Sequence, residues 1–328
     1  MRKINKLLLL TYLLSVAYLT FSQNLKKQEI TNVVTQIASL VKENYVFENR
    51  AQTISEGLLS ELKHGKFNSI KTWQTLADSL TSTLQSLSND KHMYVRNEPK
   101  TVKELIESES KITDESAIQT SEDPFYYSTG AVENNFGFSE VKILKQNIGY
   151  IRLSEINFSE KSLPTLYAAM QFISHTKALI IDLRDNGGGG SEVGAVLASY
   201  FLPRDITLLE FKNRTGDTSY SKTVTWLTEK KYDNPLYIIV NEKTGSAAEA
   251  FAFCLQNQKR ATIVGKHSAG AANMNSWYTI NDNLFVSVST SAPTIPGTQK
   301  SWESTGVIPD FEVESGNEIE TIFGILNK

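Results

Sequence analysis

Cysteine is almost missing from this chain. Cys254 is the only one in 328 residues, so no intramolecular disulfide can staple the fold. Histidine is scarce too, with four copies, and no His/Cys group falls at metal-ligand spacing, which argues against a structural zinc. No basic cluster is present and the formal net charge is −3, so nucleic acid is not an expected partner. No cofactor fingerprint is complete: neither the Gly-x-Gly-x-x-Gly unit with a downstream ribose carboxylate nor the phosphate loop ending Gly-Lys-Ser/Thr occurs. Beyond Phe21 there is no apolar run long enough to span a bilayer. What remains is ordinary globular composition, 40% apolar and 21% charged.

The first residues stand apart. Arg2, Lys3 and Lys6 precede an apolar run from Leu7 to Phe21, and Thr20 and Ser22 are small residues before Gln23. This pattern predicts a signal peptide over residues 1–22 and export to the periplasm or the extracellular space. Its removal takes away three positive charges and no negative ones, leaving the mature chain at −6. No cysteine stands near the predicted cut, which argues against a lipid anchor.

Residues 23–97 carry apolar side chains at three-and-four spacing: Ile30, Val33, Val34, Ile37, then Ile54, Leu58, Leu62, then Leu76, Leu80, Leu84. Three amphipathic helices forming a small bundle are expected there. Residues 98–137 begin polar and rich in Glu, Ser, Thr and Lys, and read as a linker or a cover. From Phe138 to the end, β and α patterns alternate. Ile148–Leu153, Ala178–Leu183, Pro235–Val240 and Thr262–Val264 are strand-like, and helices are expected around Leu163–Ile173, Glu192–Phe201 and Ala247–Leu255. More strand is expected around Leu208–Phe211 and Thr223–Leu227, and a hairpin around Asn281-Asp282-Asn283. The alternation predicts an α/β domain over 138–328 with a mostly parallel sheet.

Two strand-to-helix turns carry the chemistry. Asn241-Glu242-Lys243-Thr244-Gly245-Ser246 leaves a buried strand and enters a helix. Ser246 there could cap the helix, or be a nucleophile with the Ala247 amide beside it to receive an oxyanion. Asp182-Leu183-Arg184-Asp185-Asn186 followed by four glycines leaves another buried strand. It could be a flexible turn, a phosphate cradle or an oxyanion hole. A serine nucleophile needs a base. His64 and His175 read as surface or helix-end residues, which leaves His92 and His267 as near-equal candidates on chemistry alone. Glu303, beside Trp302, is the candidate carboxylate to orient the base.

Three segments together resemble the superfamily of carboxyl-terminal processing (tail-specific) peptidases, the tricorn core and the interphotoreceptor retinoid-binding protein modules. They are Leu179–Gly189, Thr244-Gly245-Ser246-Ala247-Ala248-Glu249 with Arg260–Gly265, and Glu303-Ser304-Thr305-Gly306-Val307-Ile308-Pro309-Asp310. The resemblance implies a crotonase-like α/β sandwich preceded by a helical bundle, a serine-type endopeptidase acting on a peptide or protein, and no cofactor. It makes Ser246 the nucleophile and Ala247 with Gly189, or the neighbouring Gly188, the oxyanion hole. Ala271 stands where processing peptidases carry a base lysine, so the Ser–Lys dyad is absent. The tricorn-like branch uses a histidine from the helical domain and a glutamate before Gly-Val-x-Pro-Asp, positions held here by His92 and Glu303. Lys91 replaces the serine that precedes that histidine, and residues 98–137 are too short and too polar for a PDZ module. The retinoid-binding relatives leave a second reading open: a non-catalytic module binding an apolar ligand or a peptide.

Overall fold

The computed structural model describes residues 24–112, 129–157, 160–190, 193–228 and 231–327; the predicted signal peptide lies outside them. The chain begins with α1 (Lys27–Asn44), α2 (Glu48–Lys63) and α3 (Trp73–Ser88). Their apolar stripes form one core, because residues three and four apart share a helix face. The Thr72 hydroxyl caps α3 by accepting the Thr75 amide, and Asn89 ends it in the left-handed conformation at φ 50°. β1 (Tyr94–Asn97) follows at once.

The stretch expected as a linker opens with a helix, α4 (Pro99–Ile112); α5 (Thr129–Glu133) follows the residues outside the description. Its i,i+4 pairs Lys100–Glu104 and Lys103–Glu107 show why a polar composition is compatible with a helix here. Then come β2 (Phe138–Leu144), β3 (Ile148–Leu153), α6 (Leu163–Phe172), β4 (Ala178–Asp182) and α7 (Val193–Ala198). β5 (Thr207–Asn213), β6 (Thr218–Lys222), β7 (Leu236–Val240), α8 (Ala247–Asn257) and β8 (Ala261–Gly265) come next. β9 (Met274–Thr279), β10 (Leu284–Thr294), β11 (Phe311–Glu312) and α9 (Glu318–Leu326) complete the chain. The strand expected at Thr223–Leu227 lies earlier, as β6, where it pairs with β5 as an antiparallel hairpin.

Two sheets result. One runs β11-β8-β7-β4-β3-β2, parallel except for the β2–β3 pair. β4 and β7 are buried at every position, as strands covered on both faces must be. Leu179, Ile181, Ile238 and Val240 pack with α7 and α8 on one face; Ala178, Ile180, Tyr237 and Ile239 pack with α9 on the other. The second sheet runs β1-β10-β5-β6, with β9 also on β10. Leu284, Val286 and Val288 of β10 enter the core of the helical unit. The helices are therefore not a self-contained bundle but share a core with a sheet strand. The mixed α/β architecture with an N-terminal helical region agrees with the expectation.

Candidate active site

The site lies where the carboxyl ends of β4, β7 and β8 meet the loop that follows α3. β4, β7 and β8 are adjacent and parallel, so their outgoing loops converge on one edge of the sheet. The β7–α8 loop carries Ser246 at φ 51° and ψ −121°, a conformation a non-glycine residue holds only when its surroundings impose it. Those surroundings are specific. The Ser246 amide donates to Glu249 Oε2 at 2.9 Å, and the Gly245 amide donates to the Asn186 carbonyl at 2.9 Å. The buried Thr244 hydroxyl donates to the Leu183 carbonyl at 2.8 Å, tying this loop to the one after β4.

Glu249 is completely buried on α8. It also accepts from the Ser268 hydroxyl at 2.6 Å, the Gly270 amide at 2.6 Å and the Ala271 amide at 2.9 Å. Burial raises its pKa, and these four donors oppose that shift. Its work is to join the start of α8 to the loop after β8. The spacing Ser246-x-x-Glu249 is that of a capping box and foretells the bond to the Ser246 amide, but no local pattern foretells the three donors from the loop after β8.

The glycine loop comes against Ser246 from the other side. A Cβ on Gly188, at φ +110°, would stand 2.7 Å from Ser246 Cβ; one on Gly189, at φ +148°, would stand 1.8 Å from the Ile156 carbonyl oxygen. Only glycine fits either place. The Gly188 amide is taken by Asn186 Oδ1 at 2.9 Å. Gly189 forms a parallel bridge with Ile156, in which the Gly190 amide donates to the Ile156 carbonyl, so the Gly189 amide faces away from that strand. Among the described residues no hydrogen bond engages the amides of Gly189 or Ala247.

His92 arrives from the helical unit. Its Nε2 lies 3.2 Å from Ser246 Oγ. Its carbonyl accepts from the Ser287 hydroxyl at 2.6 Å, which anchors the loop to β10. Burial lowers its pKa and the nearby Asp90 carboxylate partly opposes this, so the imidazole favours the neutral form able to accept a proton. His267 is exposed on the surface after β8 and has no contact with Ser246; His64 and His175 are exposed as well. Lys91 is exposed along the groove beside His92. Ala271 is buried, with its amide on Glu249.

Glu303 departs from the expected arrangement. It makes no hydrogen bond to His92. Its Oε2 accepts from the amides of Ala272 at 2.7 Å and Asn273 at 3.1 Å, while its Oε1 and His92 Nδ1 are both buried without a partner. Burial, with the Asp90 charge adding to it, pushes the Glu303 carboxyl up to about 7. Trp302, its neighbour in sequence, is buried. It packs on Phe253 and lines the neighbouring cavity.

That cavity, about 290 Å³, opens beside Ser246 and Gly189 and has a mixed wall: Leu208, Phe211, Phe251 and Trp302 are apolar, Ser221, Asn273 and Asn275 polar, and Cys254 lies among them. Burial pushes the Cys254 thiol up to about 12, so it is a neutral wall atom and not a nucleophile. A larger polar groove of about 750 Å³ leaves Ser246 in the other direction, past His92, Lys91, Tyr94, Gly187 and Lys243. Among the described residues no group of His, Cys, Asp or Glu is arranged to hold a metal ion, and no helix is long and apolar enough to cross a membrane.

Comparison with known proteins bears on the family and the fold. The model of peptidase family S41 matches residues 147–313. A second model, an N-terminal domain of peptidase S41 in eukaryotic IRBP, matches residues 24–127. A carboxyl-terminal-processing protease of Synechocystis sp. is 32% identical over 171 residues, which are 52% of this chain and 38% of that protein. The chloroplastic carboxyl-terminal-processing peptidase 1 of Arabidopsis thaliana is 31% identical over 167 residues, 50% of this chain and 33% of that protein. The chain thus spans well under half the length of these curated relatives. Among solved structures, a putative peptidase from Parabacteroides merdae superposes with a TM-score of 0.59 at 18% identity, over 93% of this chain and 98% of that one. The tricorn protease superposes with a TM-score of 0.57 at 14% identity, over 92% of this chain and 36% of that one. At these identities the structural likeness concerns the fold.

Proposed function

The chain belongs to peptidase family S41, and from that premise we propose that it is an exported serine endopeptidase with Ser246 as nucleophile and His92 as base. The observation that carries this reading is the 3.2 Å separation of His92 Nε2 and Ser246 Oγ beside two unengaged backbone amides. His92 Nε2 takes the hydroxyl proton as Ser246 Oγ attacks the peptide carbonyl. The Gly189 and Ala247 amides hold the resulting oxyanion, each contributing about 3–4 kcal/mol to the transition state. His92 returns the proton to the leaving amine, and water, activated the same way, releases the acyl group from Ser246.

A neutral imidazole that accepts at Nε2 carries its proton on Nδ1. In this reading Glu303 Oε1 is its partner, and a bond between these two orphaned atoms on substrate binding satisfies both. The cavity beside Ser246 takes a substrate side chain, and the polar groove takes the rest of the peptide. Export is supported by the basic and apolar start of the chain.

The test is covalent labelling. A fluorophosphonate should modify Ser246 in the wild-type protein and leave Ser246→Ala unmodified, with peptide hydrolysis lost in the same variant. The unpaired Nδ1 and Oε1, together with the cavity beside Ser246, favour a second reading: a module that binds an apolar ligand or peptide without cleaving it. Saturable binding of an apolar probe by a wild-type protein that fluorophosphonate does not label selects that reading.

A further inference from the structure

We infer that Asp90, a residue outside the expected triad, is the positioning residue of this site: it locks the His92 loop between the helical unit and the peptidase sheet and supplies the fixed negative charge that the imidazolium faces. The inference rests on the peptidase reading above and deepens it.

The geometry is that of a built site. Asp90 is 1% exposed. Its Oδ1 accepts the His92 backbone amide at 2.9 Å, which sets the turn from which the imidazole projects. Its Oδ2 accepts the Tyr45 hydroxyl at 3.2 Å and Asn273 Nδ2 at 2.8 Å. Its own amide donates to the Ser88 hydroxyl at 3.2 Å. The three donors come from the end of α1, from the loop itself and from the segment entering β9. One buried carboxylate therefore ties the base to both halves of the protein. A carboxylate taken out of water is costly unless donors compensate it, and here they converge on it.

Asn273 connects Asp90 to Glu303. Its side chain donates to Asp90 and its amide donates to Glu303 Oε2. Two neighbouring buried carboxyl groups cannot both ionise cheaply. Asp90 receives three donors, whereas Glu303 Oε1 receives none. Burial first, and then the Asp90 charge, push the Glu303 carboxyl up to about 7. The other titratable groups facing this cluster are Tyr45, whose hydroxyl is raised by burial and then by Asp90, the Arg50 guanidinium beside it, and Glu249 next to Glu303.

The experiment measures the pH dependence of fluorophosphonate labelling at Ser246 in wild type and in Asp90→Asn, with thermal unfolding as the control for folding. Removing the charge takes away what raises the His92 pKa and lessens the rise in that of Glu303, which burial causes first. Asp90→Asn should label about 10–100-fold more slowly, and the acid limb of its profile should move to lower pH. A folded Asp90→Asn protein whose acid limb coincides with that of wild type overturns the inference, since a packing role alone does not move the limb. If Asp90→Asn does not fold, the double variant Tyr45→Phe/Asn273→Ala removes two donors and keeps the carboxylate. It should label more slowly with a displaced limb, and wild-type behaviour in both respects overturns the inference. A wild-type protein that is not labelled at all defeats the peptidase reading instead, so the two failures are distinguishable.

Discussion

His92 Nε2 stands 3.2 Å from Ser246 Oγ although 154 residues separate them in sequence. The contact depends on β1 pairing with β10, which carries the histidine loop onto the sheet. Replacing either residue by alanine should cost at least about 10³-fold in peptide hydrolysis, and the double variant should lose little more, because the two act as a unit. Steady-state kinetics of the two single variants and the double variant check this. Near-additive losses would break the unit.

Glu249→Gln should both loosen the nucleophile and destabilise the protein. All four groups on this carboxylate are donors, so a carboxamide turns an N–H toward at least one of them. The expected loss is about 2–4 kcal/mol, read from denaturant unfolding, with slower fluorophosphonate labelling of whatever remains folded. An unchanged unfolding midpoint would show that the four bonds contribute nothing.

Gly188→Ala should act on the site more than its size suggests. The added methyl meets Ser246 Cβ at 2.7 Å and the backbone φ of +110° resists any side chain. The strain should be about 1–3 kcal/mol, and displacement of Ser246 should lower kcat/KM about 10²-fold. Wild-type kinetics in this variant would mean that the two loops are not in contact.

Glu303 predicts a pH signature in stability. Its folded-state pKa of about 7 lies above the ordinary value of 4.5, so the folded protein holds this proton more tightly than the unfolded chain. The contribution of Glu303 is therefore fully present in acid and is lost as pH rises through about 7. Glu303→Gln cannot ionise. Relative to wild type it should gain on the order of 1–3 kcal/mol between acid and mildly alkaline pH. Denaturant melts of both proteins across that range test the sign; a flat difference contradicts it.

The cavity beside Ser246 predicts selectivity. Ala250 lines it beside Ser246, so Ala250→Phe should fill part of the space. For substrates that place a bulky apolar side chain next to the scissile bond, kcat/KM should fall about 10–100-fold. Labelling by a small fluorophosphonate should persist. Equal losses for small and bulky side chains would place the substrate elsewhere.

Much of this was legible from local pattern. The stripes Ile30–Val41 and Leu76–Leu84 became α1 and α3, and the buried runs Ala178–Asp182 and Leu236–Val240 became interior strands. Such periodicities record which face each element buries, and burial is imposed residue by residue. The pattern failed where pairing or charge compensation decided the outcome. β6 is a polar strand, exposed at most of its positions, that exists because β5 offers it a ladder. The start of α4 is polar enough to read as a linker, yet its charges sit at helical spacing.

The sequence by itself determined most helices and the interior strands, the two strand-to-helix turns and the residue types brought to them, because each of these depends on neighbours within a few positions. The tertiary structure alone decided the rest. It chose His92 over His267 as the histidine beside Ser246, and it left the Gly189 amide unengaged while Asn186 occupied that of Gly188. It set Glu303 on the amides of Ala272 and Asn273 instead of on the imidazole, and it placed Asp90 at the junction. Each of these choices is a hydrogen bond or a charge interaction between segments far apart in the chain. Its strength is fixed by the burial and the distance that packing creates, and no local pattern of residues encodes either.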